Sequence, residues 1–209
     1  DMTVIAGVRS ERAISDLPKN SSIEPVIIDY DSDSSLEEAL LGTDCVIHLA
    51  GILIETKHSN YASANVGATA AVVEAAMKSG SKNLIFISVV GADPESKNAY
   101  FRSKGAAEKL IIDSGLGSSI LRTPILFGPS AAGSQAVIGM VSSGQAKLLG
   151  GGHYQMRPLD IDDLSEALVK LCLNPKGGQS TYELVGPESA SYREIITKTA
   201  EVMDKTVTF

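Results

Sequence analysis

Short apolar runs rich in Val and Ile alternate along this chain with stretches whose apolar residues recur every three or four positions. Residues 2–8 (MTVIAGV) read as a strand and 10–17 (SERAISDL) as a short helix opened by Ser10. A second strand follows at 24–29 (EPVIID), then a capped helix at 33–42 (DSSLEEALLG) ending at Gly42. The third strand is 44–50 (DCVIHLA), and a long helix runs from about 59 to 79 before Gly80. A fourth strand at 83–90 (NLIFISVV), a helix at 99–115 and a fifth strand at 118–123 (SSILRT) complete this half. Strands that are apolar nearly throughout belong in a parallel sheet covered by helices on both faces. The expected fold class is therefore α/β, a Rossmann-like doubly wound parallel sheet.

The texture changes after about residue 130. Residues 134–144 are helical, and 147–161 look like short strands around a Gly turn. A helix at 160–173 carries Asp at its positive N-terminal end, as the macrodipole favours. A strand at 180–186 and a helix at 191–203 close the chain. This pattern is read as one domain over 1–209, with a sheet core at 1–129 and a small C-terminal substrate-side lobe at 130–209.

The 209 residues are enough to bury a sizeable core, and 44% hydrophobic with 21% charged residues is the profile of a water-exposed globular chain. No apolar stretch approaches the eighteen residues of a membrane span. Net charge is −7 with scattered Lys and Arg, which argues against a nucleic-acid partner. Cys45 and Cys172 lie in apolar runs and read as small core hydrophobes, in keeping with a reducing, cytoplasmic setting. No His, Cys and carboxylate spacing points to a metal, and Lys-Gly-Gly at 176–178 lacks P-loop context and reads as a turn.

Ligands on such sheets bind beyond the carboxyl ends of the strands. Those ends carry Arg9, then Asp29 and Tyr30, then His48-Leu-Ala50-Gly51, then Ser88, then Thr123 and Pro124. Tyr100 lies four residues before Lys104 on the following helix, so the two side chains share a face. By spacing alone this pair could equally be a packed Tyr and a solvated Lys.

Seven stretches in order turn that ambiguity into a resemblance: GVRSERA, IIDYDSDSSLEEALLGTDCVIHLAG, NVGATAAVVEAA, FISVVGADPESKNAYFRSKGAAEK, ILRTPILFGP, MRPLDIDDLSEAL and YELVGPESASYREII. They are similar to the atypical or extended short-chain dehydrogenase/reductases, an NAD(P)-binding Rossmann family. The closest branch is that of nucleoside-diphosphate-sugar-epimerase-like proteins, which includes the NAD(P)H-binding accessory subunit of respiratory complex I.

The resemblance implies a catalytic Tyr100, Lys104 and Ser88. Tyr100 would exchange a proton with a substrate carbonyl or hydroxyl. Lys104 would hold the nicotinamide ribose and lower the Tyr pKa, and Ser88 would bond the reacting oxygen. It implies cofactor contacts at Arg9, Asp29, Tyr30, Ala50, Gly51, Lys104, Thr123 and Pro124. Arg9 suits the 2′-phosphate of NADP, with NAD the alternative, though a plain surface Arg fits as well. Asp29 would approach the adenine amino group, or else be an ordinary turn aspartate. Ala50 and Gly51 would let the cofactor pass close to backbone. Asn65 would fix backbone near the site, and His48 reads as structural. Partners implied are a small-molecule or nucleotide-sugar substrate, and a second copy of the chain paired through the helices at 59–79 and 99–115.

Two departures matter. The family usually carries Arg-Pro where this chain has Arg-Thr-Pro, which shifts the Thr123 and Pro124 contacts by one residue. The family also opens with a strand and a Gly-rich turn that cradle the pyrophosphate, and no such motif occurs here. The first βα unit is thus missing, leaving a one-strand slot at the middle of the sheet. The expectation is a piece of a longer protein; otherwise neighbouring strands must close the slot or another copy must fill it.

Overall fold

The computed structural model describes residues 2–175 and 177–209; Lys176, the first residue of the expected Lys-Gly-Gly turn, lies outside the described residues. Five parallel-sheet strands appear where the apolar runs place them: β1 (Val4–Val8), β2 (Ile23–Ile27), β3 (Val46–His48), β4 (Leu84–Val89) and β5 (Ser118–Thr123). Between them come α1 (Glu11–Ser15), α2 (Asp33–Leu40), α3 (Ala68–Ser79) and α4 (Ala99–Asp113). Ser10 caps α1 by accepting from the Ala13 amide, and Asn98 caps α4 by accepting from Tyr100 and Phe101. Gly80 ends α3 in the left-handed region, φ 74°, which a residue with a Cβ enters only at a cost.

The later chain adds β6 (Leu126–Phe127), α5 (Ala132–Ser143), β7 (Gln155–Met156), β8 (Leu159–Asp160), α6 (Ile161–Leu173), β9 (Gln179–Glu183), β10 (Ala190–Ser191) and α7 (Tyr192–Val202). The main sheet is fully parallel in the order β3-β4-β5-β9, so the strand at 179–183 returns to extend the sheet core. One face is covered by α2, α3 and α4, through Leu36, Val72, Val73, Ala76, Ala107 and Ile111. The other is covered by α6, through Leu164, Leu168 and Leu171 packed on Ile85 and Leu121. A separate cluster holds α5 to α7 around Val137, Val141 and Ile196. Among the described residues no helix is long and apolar enough to cross a membrane.

The slot in the sheet is visible as two open edges. β1 pairs in parallel with β2, and β3 with β4, but β1 and β3 belong to different sheets. Neighbouring strands therefore do not close the slot. Ile28 and Tyr30, just past β2, pack on the same core as Val46 and Val72, which keeps the β1-β2 ribbon over that core. Apolar side chains beside the slot stay in water: Ile5 is 38% and Ile47 39% exposed.

Candidate active site

The carboxyl ends of β1 and β2 adjoin each other, as do those of β3, β4 and β5. Arg9 after β1 and Tyr30 after β2 come together at the first of these: burial raises the Tyr30 phenol above its ordinary value, and the Arg9 charge opposes that shift. Asp29 accepts from the Asp31 amide at 3.0 Å, and its own amide bonds Ser35 Oγ. That is the geometry of a turn aspartate. The residue as a whole is exposed.

After β3 the chain turns at Ala50 and Gly51, and this turn is pinned from within. Residues Ala62–Gly67 form a π-helical turn leading into α3, and Asn65 on it is buried. Asn65 Oδ1 accepts from the Ile52 amide at 2.7 Å. Its Nδ2 donates to Ile52 O at 3.2 Å and to Ser103 Oγ at 2.9 Å. A Cβ on Gly51 would meet Asn65 Oδ1 at 3.0 Å, so the glycine also makes room for this pin. His48 is buried, stacks on Phe86 and bonds Thr69 through Nε2 at 3.0 Å. Burial first, and the Lys104 charge second, lower its pKa to about 4. It is a neutral structural residue, as expected.

Tyr100 and Lys104 stand one turn apart on α4. Lys104 is only 7% exposed. Its Nζ donates to Ile87 O at 2.8 Å and lies 4.0 Å from the centroid of the Phe86 ring. Burial lowers its pKa to about 8, with the Glu108 charge opposing. An ammonium carries three donors, of which one is spent on Ile87 O, with the Phe86 ring beside the charge. The Tyr100 ring sits 5.9 Å from that of Tyr61. Its phenol is held above the usual value by burial first and Tyr61 second, rather than drawn down by Lys104, whose ammonium is turned to β4. The lowering expected of Lys104 is absent: burial and Tyr61 alone set the shift, while the ammonium is held by Ile87 O.

Ser88 and Thr123 are both buried at the β4 and β5 ends. Ser88 Oγ donates to Glu108 Oε1 at 2.5 Å, and Thr123 Oγ1 donates to Ser88 O at 3.3 Å. Arg122 holds the same carboxylate with both prongs, Nε to Oε1 at 3.0 Å and Nη2 to Oε2 at 2.6 Å. The serine hydroxyl thus donates its hydrogen bond to the buried carboxylate of an ion pair whose arginine is partly exposed. Sequence reasoning missed Glu108 and Arg122. In the sequence Glu108 follows Lys104 by one turn on α4, but Arg122 comes beside Ser88 only through the β4-β5 register, which the sequence does not show.

The family model described as NAD(P)H-binding matches residues 1–147. The 40 kDa subunit of mitochondrial NADH-ubiquinone oxidoreductase from Neurospora crassa is 24% identical over 184 residues, covering 87% of this chain and 47% of the subunit. Ceramide reductase from Caulobacter vibrioides is 22% identical over 185 residues, covering 88% of this chain and 58% of the reductase. The chain thus spans about half the length of these curated relatives. Among solved structures, MoeE5 in complex with UDP-glucuronic acid and NAD matches with a TM-score of 0.85 at 21% identity, covering 98% of this chain and 75% of that chain. With the family match running from β1 through α5, this chain belongs to the NAD(P)H-binding family and carries the Rossmann-like fold of the short-chain dehydrogenase/reductases.

Proposed function

We propose that the chain is the cofactor-binding and catalytic part of an NAD(P)-dependent oxidoreductase or epimerase-like enzyme, acting on a small carbonyl compound or a nucleotide sugar. The observation that carries this reading is the buried Lys104 ammonium at the carboxyl end of β4, one turn from Tyr100. Lys104 holds the nicotinamide ribose. Arg9 after β1 favours the 2′-phosphate of NADP over NAD. Asp29, Tyr30, Ala50, Gly51, Thr123 and Pro124 complete the cofactor wall. When bound, the cofactor supplies or accepts the hydride at the substrate carbon.

Tyr100 handles the accompanying proton. A phenol above its usual pKa is neutral at pH 7, so it is set to donate to a carbonyl oxygen as that carbon gains hydride. The reverse direction needs Lys104 swung away from Ile87 O and toward the phenol, so that its charge favours the phenolate. Ser88 can assist only if its hydroxyl leaves Glu108. A nucleotide-sugar substrate is supported by the likeness to MoeE5, which was solved with UDP-glucuronic acid. In this reading the substrate-side lobe comes from residues 130–209 other than α6 and β9, which belong to the sheet core. Exposed Met77 on α3 borders a groove of about 380 Å³ lined also by Val73 and by Leu110 of α4, which suits pairing with a second copy.

Tyr100→Phe tests the assignment. Turnover of NADPH should fall by ~10²–10⁴-fold, while NADPH affinity stays within about twofold because the phenol serves the reaction alone. Equal turnover removes Tyr100 from the chemistry.

A second reading, a cofactor-binding structural or regulatory protein without turnover, is favoured by the commitment of Ser88 to Glu108. It predicts NADPH binding with no reaction across sugar nucleotides and carbonyl compounds.

A further inference from the structure

We propose that Cys45 and Cys172 form an oxidation site, at which an intramolecular disulfide fastens the start of β3 to the last turn of α6. The two thiols are 127 residues apart in sequence, yet their sulfurs stand 3.2 Å from each other. Both are free and half-buried, so they face each other at the edge of the core rather than being sealed in it. A side-chain clip holds the two elements in place around them. Asn83, just before β4, donates to Cys45 Sγ at 3.5 Å and to Leu171 O at 3.3 Å. Leu171 and Leu168 of α6 pack in the same cluster. A disulfide needs its sulfurs at about 2.05 Å, so closure requires an approach of about 1 Å, within reach of small side-chain rotations.

The oxidant is a small-molecule disulfide of the glutathione type. One protein thiolate attacks a sulfur of that disulfide, forms a mixed disulfide and expels one small thiol. The second protein sulfur then attacks the first, forms the Cys45–Cys172 bond and expels the other small thiol. The protein loses two electrons and two protons, and the small disulfide gains both. Burial first, and the neighbouring Cys172 next, push the Cys45 thiol up to about 12. The pair therefore reacts slowly at neutral pH and faster in alkali, because the thiolate is the nucleophile.

The bond lies at the amino end of the sheet, the pole opposite Tyr100 and Lys104, and does not depend on the catalytic reading. Cross-linking residues so far apart restricts the unfolded chain more than the native one. The oxidised form should melt higher by on the order of 5–10 °C.

The test uses the full chain, fully reduced and then incubated natively with excess oxidised glutathione at about pH 9, where more Cys45 thiolate is present than at neutral pH. The expected product is about 2 Da lighter, the mass of the two thiol hydrogens. It has lost both maleimide-reactive thiols, yields one cross-linked peptide joining Cys45 to Cys172, melts higher, and reverts with dithiothreitol. Cys172→Ser should instead carry a glutathione adduct on Cys45 and show no gain in melting temperature. Two thiols still free after oxidation, separate glutathione adducts on each cysteine, or a disulfide only between molecules would each overturn the proposal. The mass and peptide readouts on the unaltered chain decide it even if the Ser variant fails to fold.

Discussion

Arg122 grips Glu108 with both prongs of its guanidinium, reaching from β5 to α4 across the end of the strand that carries Ser88. The carboxylate is almost fully buried, whereas the arginine side chain keeps 28% of its surface in water. Removing the carboxylate therefore strands Ser88 Oγ in the interior, while water can take over part of the arginine. Glu108→Gln should cost about 1–3 kcal/mol, since it preserves an acceptor for Ser88 but discharges the pair. Glu108→Ala should cost more, about 3–5 kcal/mol, from the stranded partners and the cavity. Urea denaturation of both variants measures the difference. In the double variant with Arg122→Met, the loss should be smaller than the sum of the single losses.

Asn65 spends its amide on three bonds, two to Ile52 and one to Ser103. Asn65→Ala removes all three and should destabilise the fold by about 2–3 kcal/mol. The local effect should be larger than the global one, because the chain between Gly51 and Ile54 rests on this side chain. Faster amide exchange at Ile52, with little change at the distant Ile196, is the expected pattern. Uniform acceleration across the chain would deny Asn65 its role as a local pin.

His48 predicts an acid limb to the stability curve. Its folded pKa, about 4, lies below the ordinary 6.5 because burial and Lys104 disfavour the imidazolium. Between those two values the unfolded chain binds a proton that the native chain does not, so stability falls as pH drops through 6.5 and the loss levels off near 4. The full effect is about 3 kcal/mol. The groups facing the ring are Thr69, Phe86 and Lys104, so no carboxylate offsets it. His48→Gln should flatten this limb between pH 4 and 6.5 when urea midpoints are compared across pH.

The parallel core could be read along the chain because each strand is a contiguous apolar run. β5 occupies the same six residues in both readings, and α4 begins at the Asn98 cap. Short strands at 147–161 were expected, and β7 and β8 lie there, but their pairing with β10 and β6 could not be read, since two-residue strands carry no periodicity. The π-helical turn at Ala62–Gly67 was hidden inside an ordinary helical pattern, because its spacing departs from 3.6 for one turn only. That Tyr100 and Lys104 lie one turn apart on one helix followed from local spacing, while their assignment to a site rested on the resemblance. The Glu108–Arg122 pair and the meeting of Cys45 with Cys172 depend on long-range packing, and a lone Glu, Arg or Cys in the sequence names no partner. Asp29 shows the converse: a residue at a strand end where ligands bind can also be the first residue of a side-chain turn.

Gly105 sets two effects against each other within α4. Alanine is a better helix former than glycine by about 1 kcal/mol, which favours Gly105→Ala. A Cβ there, however, would stand 2.3 Å from Asp93 C and 2.3 Å from Pro94 N, both backbone atoms. That backbone cannot step aside freely, because the Asp93 amide donates to Phe101 O at 3.2 Å and Glu95 N is held by Asp93 Oδ1 at 2.9 Å. Overpacking of this kind costs about 1–3 kcal/mol or more, so the net change should be destabilising. The displaced loop would pull on Phe101 and hence on the first turn of α4, where Tyr100 sits. Gly105→Ala should therefore lower the urea midpoint and also alter the near-ultraviolet tyrosine signal. A gain in stability would mean that the 93–94 backbone does not press on this helix, and that the start of α4 is positioned by its Asn98 cap alone.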